Sequence, residues 1–381
     1  MRPFDLPLGF KYATAYGGIR KQEKDDLALI VSAVPAAAAA VFTTNKVQAA
    51  PVRLARTNMR ASKGVCGAIL INAGNANCAT KSGDRVAANT TKALAKLLKL
   101  QPNQVLPAST GVIGVELDEN LILSKLQALV DGLSDTGLPE VARAILTTDL
   151  QAKGASREVT LRRGIVRVAG VTKGSGMIHP RMATTLGFVM TDAVIPQTLL
   201  RRMLVRAAEL SYNRISVDGD TSTNDTLVVM ANGASGVRPD PKEMSVFEES
   251  LTETLQSLAR QIVRDGEGAR KLISVEVHGA LSDASAAAIA RSISNSPLVK
   301  TAIAGSDPNW GRILSAAGNS GVNFDPTTID ITLQDVKVCR NGLASPFDEN
   351  DVKSRLDDTD VSIVFISPGK GRALPLSGPA I

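Results

Sequence analysis

The chain has 381 residues, enough for two domains, and its 44% hydrophobic and 21% charged content is that of an ordinary globular protein. Its net charge of +6 comes from 43 basic and 37 acidic side chains scattered along the chain, with only 3% aromatics. A nucleic-acid binder needs a basic stripe interleaved with stacking aromatics, so that class does not fit.

Cys66, Cys78 and Cys339 are odd in number and form no CxxC pair, so neither a disulfide framework nor a zinc site is indicated. His179 and His278 are too few and too far apart in sequence for a His-based metal centre, and no metal is expected. The N-terminus lacks the three regions of a signal peptide. The longest apolar stretch, 27–42, is too short to span a bilayer and is interrupted by Ser32 and Pro35. The expected compartment is the cytoplasm or an organelle matrix, without membrane or nucleic acid as partner.

Short apolar runs alternate with amphipathic stretches, which predicts a mixed α/β fold. Leu27 to Val34 and Gly67 to Ala73 read as buried strands. Asn72-Ala-Gly-Asn75-Ala-Asn77 places three amides within six residues, suited to satisfying loop backbone groups or, less commonly, to lining a polar pocket. In Ser109-Thr-Gly-Val-Ile-Gly114, a Thr hydroxyl beside a Gly N–H could supply two donors to an oxyanion. By itself the segment reads as a tight turn. Glu119 to Leu133 has helical spacing with Asp118 as N-cap, and Glu158 to Val168 reads as a hairpin turning at Arg162, Arg163 and Gly164.

Lys173 to Phe188 is the densest cluster of unusual residues. Gly174, Gly176 and Pro180 force a shaped loop that leads into an apolar strand, Leu186 to Met190. A hydroxyl at such a junction can be held rigidly and presented to a pocket, but a purely structural turn accounts for the same residues. Helices follow at Gln197 to Leu210, behind Pro196, and at Pro241 to Arg264, where Phe247, Leu251, Leu255, Leu258 and Ile262 repeat every three or four positions. After Asp265-Gly-Glu-Gly268 a strand pattern begins at Lys271, which puts the domain boundary between 1–264 and 265–381. The second part reads as strand, a helix from Asp283 to Ser292, then strands near Val299 and Ile329. Gly305 to Arg312, holding the only tryptophan, reads as a turn packed on the core.

P-loop, dinucleotide and Gly-x-Ser-x-Gly motifs are absent. Asp218 to Asp225 has the look of a calcium loop, but Thr223 and Val229 stand where glycine and glutamate are required.

Taken together, these stretches resemble the ornithine acetyltransferase family, the bifunctional glutamate N-acetyltransferases also called ArgJ. The likeness lies in Gly9-Phe10, Phe42 to Asn45, Asn72 to Asn77, Ser109 to Gly114, Thr147-Thr148-Asp149, Lys173 to Ile178 and Met182-Ala183-Thr184. It continues through Thr191-Asp192-Ala193, Ser216 to Thr226, Asp265 to Gly268 and Gly305 to Arg312. The resemblance implies an αββα sandwich carrying the nucleophile and a smaller C-terminal α/β domain. It further implies self-cleavage between Ala183 and Thr184 into an α chain of 1–183 and a β chain of 184–381, assembled as a heterotetramer.

In the implied reaction Thr184 takes the acetyl group of N-acetylornithine and passes it to glutamate, with Thr110 and Gly111 as the oxyanion hole. Thr147, Lys173, Thr184 and Glu267 are the implied substrate contacts. No cofactor is implied, although some members use acetyl-CoA as donor. The end of the chain departs from the family: the tail from Gly369 has no recognisable counterpart, and Pro379 argues against a closing strand. Arg181 stands where many relatives carry Asn. Two rivals remain, an aminopeptidase or amidohydrolase of the same self-processing fold and an inactive scaffold with an altered tail.

Overall fold

The computed structural model describes residues 5–179, 185–368 and 376–378, and the chain separates into two units. The first comprises 1–213 and 220–265, the second 214–219 and 266–381.

The first unit is organised by one long bent strand. After β1 (Phe10–Ala15), β2 (Leu27–Phe42) runs through the whole apolar stretch rather than stopping near Val34. Pro35 lies where the pairing with β3 (Val65–Asn75) slips, between Val31 and Ala36. A proline has no N–H for the ladder, so an irregularity is where a strand tolerates it. One edge of β2 is shared: its first half pairs with β1 and its second half with β8 (Thr226–Ala231). The sheet therefore divides into two layers hinged on β2. One holds β1, β3 and β4 (Val105–Val112); the other holds β8, β7 (Leu186–Thr191), β6 (Gly164–Lys173) and β5 (Lys153–Leu161).

Alternation along the strands decides what each layer faces. Ile30, Ile69, Ile71 and Leu106 from one layer and Val171, Phe188, Met190 and Val228 from the other share one buried cluster. The opposite side chains of the first layer, Leu27, Leu29 and Leu70, pack with Val86 and Leu94 of α2 (Gly83–Leu98) and Leu126 and Leu129 of α4 (Leu126–Asp131). On the far side of the second layer lie α6 (Gln197–Glu209) and α7 (Met244–Arg264). There a β-carbon added to Gly170 would come within 3.2 Å of Leu258. The result is helix, sheet, sheet, helix. α1 (Ala50–Ala61) and α5 (Leu138–Ala144) complete the unit, Ala55 and Val141 joining the inter-sheet cluster.

Several local expectations are corrected. The helix read over 119–133 is split into α3 (Asn120–Leu123) and α4, a turn at Ser124 and Lys125 that lets Ile122, Leu126 and Leu129 enter one cluster. α7 starts at Met244, because the Asp240 carboxylate accepts the N–H groups of Lys242 and Glu243 and holds those residues in a turn. Ser109 to Val112 is the end of β4 rather than a turn.

The second unit has a six-stranded sheet in the order β12 (Leu343–Ala344), β11 (Val336–Arg340), β10 (Asp330–Leu333), β13 (Asp360–Ile366), β9 (Leu272–His278), β14 (Leu376–Gly378). Its helices are α8 (Asp283–Asn295), α9 (Pro297–Ala304), α10 (Trp310–Gly318) and α11 (Glu349–Leu356). Val299 lies in α9, not in a strand: the Ser296 hydroxyl accepts its N–H, and Pro297 starts the helix where no N–H is needed. A closing strand exists as well. β14 pairs antiparallel with β9, Leu376 opposite Val277, and forms an edge of the sheet; Pro379 lies outside the described residues.

Candidate active site

Lys173 ends β6 and pairs with Leu186 at the start of β7, so the glycine-rich segment joins these two strands. Its ammonium donates to the hydroxyl oxygens of Thr147 at 2.7 Å and Thr110 at 3.1 Å. Thr110 belongs to β4 in the other sheet layer, so this one cation bridges both layers. Three residues singled out from the sequence meet here.

Gly111 follows with φ +131°, and an added β-carbon would lie 2.2 Å from the carbonyl carbon of Gly74 in β3. Only glycine allows the two parallel strand ends to approach this closely. The amides around them work structurally. Asn72 donates to Asn75 O at 2.8 Å, Asn75 to Val115 O at 3.0 Å and Asn77 to Gly83 O at 3.1 Å. Asn224 ties the approach to β8 to the end of β4 through Ser109 O at 2.8 Å.

Lys173 is 4% exposed. Burial pulls its pKa down, and the Asp149 carboxylate opposes that shift. An uncompensated buried ammonium would shed its proton, so the counter-charge matters. Asp149 Oδ2 stands 3.8 Å from the Lys173 nitrogen. Its Oδ1 accepts from Lys153 and from the Gly174 N–H, both at 2.7 Å, and its Oδ2 accepts the Thr147 N–H at 3.1 Å. Burial raises the Asp149 pKa, but Lys173, Lys153 and these hydrogen bonds outweigh it and hold the carboxyl at about 2.

Lys153, at the start of β5, is itself buried and also pairs with Asp265 at the end of α7. Asp265 receives the N–H groups of Leu150 and Gln151, and its carbonyl accepts from Ser175 at 2.6 Å. The segment carrying Thr147 is fixed upstream too, because the Arg20 guanidinium donates to the carbonyls of Ala144 and Leu146.

Ala183 and Thr184 lie outside the described residues. Thr185, the next residue, is pinned on both sides: its N–H goes to Asp225 Oδ1 at 2.7 Å, and its carbonyl accepts the Thr226 N–H at 2.9 Å. Asp225 is fully buried, which pushes its carboxyl well above the ordinary range, and its Oδ2 has no hydrogen-bond partner among the described residues. Glu267 is exposed in the turn between Gly266 and Gly268 and belongs to the second unit.

Sequence reasoning gave no role to Asp149, Lys153, Asp225 or Asp265. Three of them stand inside the motifs quoted above and could have been named there. Lys153 belongs to no motif, and only its burial marks it. Chemically, the group offers hydroxyl donors and a fixed cation beside the strand into which residue 184 leads. Such a constellation can stabilise negative charge on a carbonyl oxygen under attack.

The sequence profile of the ArgJ family matches residues 11–374. This chain belongs to the ArgJ family. The arginine biosynthesis bifunctional protein ArgJ of Nitratidesulfovibrio vulgaris is 44% identical over 368 residues, 96% of this chain and 93% of that one. The protein of the same name from Gloeobacter violaceus is 43% identical over 371 residues, 95% of this chain and 90% of its own. A solved chain of ornithine acetyltransferase complexed with ornithine, from Mycobacterium tuberculosis, aligns at 27% identity with a TM-score of 0.41, covering 49% of this chain and 98% of that one. The ArgJ match begins in β1 and takes in Thr110, Thr147, Lys173 and Glu267. No helix among the described residues is long and apolar enough to cross a membrane.

Proposed function

We propose that this ArgJ-family chain is an acetyltransferase of arginine biosynthesis that moves the acetyl group from N2-acetyl-L-ornithine to L-glutamate. The observation that supports it best is the convergence of Thr110, Thr147 and Lys173 beside the strand that residue 184 leads into. Near-full-length relatives bearing the arginine-biosynthesis name agree with it.

Maturation comes first. The Thr184 hydroxyl oxygen attacks the Ala183 carbonyl carbon, the peptide nitrogen leaves with a proton, and an ester joins the two residues. Water hydrolyses that ester, giving chains of 1–183 and 184–381. The new α-amine of Thr184, with an unperturbed pKa of about 8, then serves as general base for its own hydroxyl, so no histidine is needed. The Thr184 oxygen attacks the acetyl carbonyl while the Thr110 hydroxyl and Gly111 N–H donate to the oxyanion. Ornithine leaves with the proton, and acetyl-Thr184 remains. The glutamate amine attacks this ester, forming N-acetylglutamate and returning the proton to Thr184.

Thr147 and Lys173 serve the amino-acid end of the substrate, and Glu267 suits the cationic amine of ornithine. The reaction needs no cofactor; acetyl-CoA is a candidate second donor. The compartment is cytoplasmic, and the cleaved chains assemble as a heterotetramer.

The test follows ornithine, N-acetylglutamate and acetate by mass spectrometry after mixing the cleaved protein with N-acetylornithine, with and without glutamate. Ornithine release that depends on glutamate and yields N-acetylglutamate is the expected result. Equal release without glutamate, with acetate as product, would make the protein a hydrolase. A parallel arm with acetyl-CoA and glutamate decides the second donor.

A further inference from the structure

We propose that Lys173 is a positioning residue for the oxyanion donor Thr110, acting on the direction of its hydroxyl, in addition to any contact with a substrate carboxylate. This rests on the acetyl-transfer reading above and deepens it.

An ammonium has three donors and no acceptor. The Lys173 nitrogen lies 3.1 Å from the Thr110 hydroxyl oxygen and 2.7 Å from that of Thr147, and its third side faces Asp149 at 3.8 Å. Because the ammonium only donates, the Thr110 oxygen must accept. Its own proton then points away from Lys173 and is left to donate elsewhere. A freely rotating hydroxyl would have to turn its proton toward the charge as the charge forms; one already fixed as a donor avoids that reorganisation. Accepting from a cation also polarises the O–H bond and strengthens it as a donor.

The device works only while Lys173 is charged. A neutral amine offers a lone pair, and the Thr110 proton would turn back toward it. Burial pushes Lys173 toward neutrality, as do Lys153 and Arg20. Asp149, ionised at neutral pH, holds the charge, and Asp225 adds to it only in its ionised form, which burial disfavours. Asp149 is fixed for this by partners other than Lys173: Lys153 and the N–H groups of Gly174 and Thr147.

A substrate without a carboxylate separates positioning from substrate binding. The probe is p-nitrophenyl acetate, whose acetyl transfer to Thr184 releases p-nitrophenolate, measured per cleaved molecule for Thr110→Ala, Lys173→Met and the double variant. Thr110→Ala is expected to slow acylation by roughly 10²- to 10³-fold. Lys173→Met should lose at least about tenfold, and the double variant should be no slower than Thr110→Ala alone, as for residues acting through one group. Acylation by Lys173→Met at the parent rate, or losses that multiply in the double variant, would overturn the proposal.

Should Lys173→Met fail to fold or cleave, Asp149→Asn gives the second readout. Removing this counter-charge lowers the Lys173 pKa, so the alkaline limb of the acylation profile moves to lower pH. An unmoved limb overturns the proposal. Acylation with the expected coupling but no transfer to glutamate would sink the acetyltransferase reading and leave this inference standing. Parent protein with neither cleavage nor acylation overturns both.

Discussion

The two units differ in where they keep their charges. Every charged residue buried among the described residues (Asp26, Lys153, Lys173, Asp192 and Asp225) lies in the first unit. The second unit has an apolar core, Val275, Ile331, Ile363 and Phe365 among its members, and sets ion pairs such as Lys337–Asp330 and Arg355–Asp351 at its surface. Burying a charge costs several kcal/mol unless partners compensate, so a fold does not collect such groups by default. Asp26 and Asp192 are explained locally, because backbone N–H groups satisfy them. The chain Asp265–Lys153–Asp149–Lys173 is different: it ends at two threonine hydroxyls in the crease between the sheet layers. The first unit spends stability on a buried charge network, and the second keeps its charges at the surface.

The sharpest way to break this contrast is Gly111→Ala. The added carbon has no room beside Gly74, so the ends of β3 and β4 must part and the proposed oxyanion donors Thr110 and Gly111 shift with them. Acetyl-transfer kcat should fall by roughly 10²- to 10³-fold or more; near-parent kcat would refute the placement of the donors.

Next in size is the loss of Asp149. Asp149→Asn leaves two buried lysines short of a counter-charge and should cost about 3 kcal/mol in urea unfolding at pH 7. The pH dependence has a definite sign. A carboxyl held at about 2 stabilises the fold above its unfolded pKa and loses that contribution as pH falls toward 2. The parent should therefore lose roughly 2–3 kcal/mol between about pH 5 and pH 2 from this group, and the variant should lack that part of the slope.

Asp225 predicts the opposite sign. Its carboxyl is raised by burial, so ionising it opposes folding as pH rises above the unfolded value. Asp225→Asn keeps an oxygen for the Thr185 N–H, and it should unfold at a urea concentration no lower than the parent at pH 7. A clear drop would mean that the ionised carboxylate is needed there.

The smallest effect belongs to an ion pair near the surface of the second unit. Lys337→Ala in the second unit breaks a partly exposed pair and should cost under about 1 kcal/mol. A loss as large as that of Asp149→Asn would erase the contrast between the units.

Much of the fold was legible because its signals are local. The hairpin turn at Arg162 and Arg163, the helix behind Pro196 and the strands beginning at Leu27 and near Gly67 follow from turn chemistry and apolar patterning. The short apolar run at Val299 suits strand and helix alike, and the Ser296 cap decides for helix. β2 runs past Pro35, which reads as a stop in the sequence, because a register slip between Val31 and Ala36 accommodates the proline. At the site, Lys173 and the Ser109 segment were visible as unusual residues, but their chemistry rested on the family resemblance. Asp149 stands in a quoted motif and is legible there, whereas the importance of Lys153 comes from burial, which sequence spacing does not encode.

The most direct test is the intact mass of the purified protein under denaturing conditions, beside Thr184→Ala. The account predicts two fragments, 1–183 and 184–381, and an uncut variant. A single chain of 39.9 kDa in both samples would contradict it, leaving the buried charges of the first unit without a nucleophile to serve.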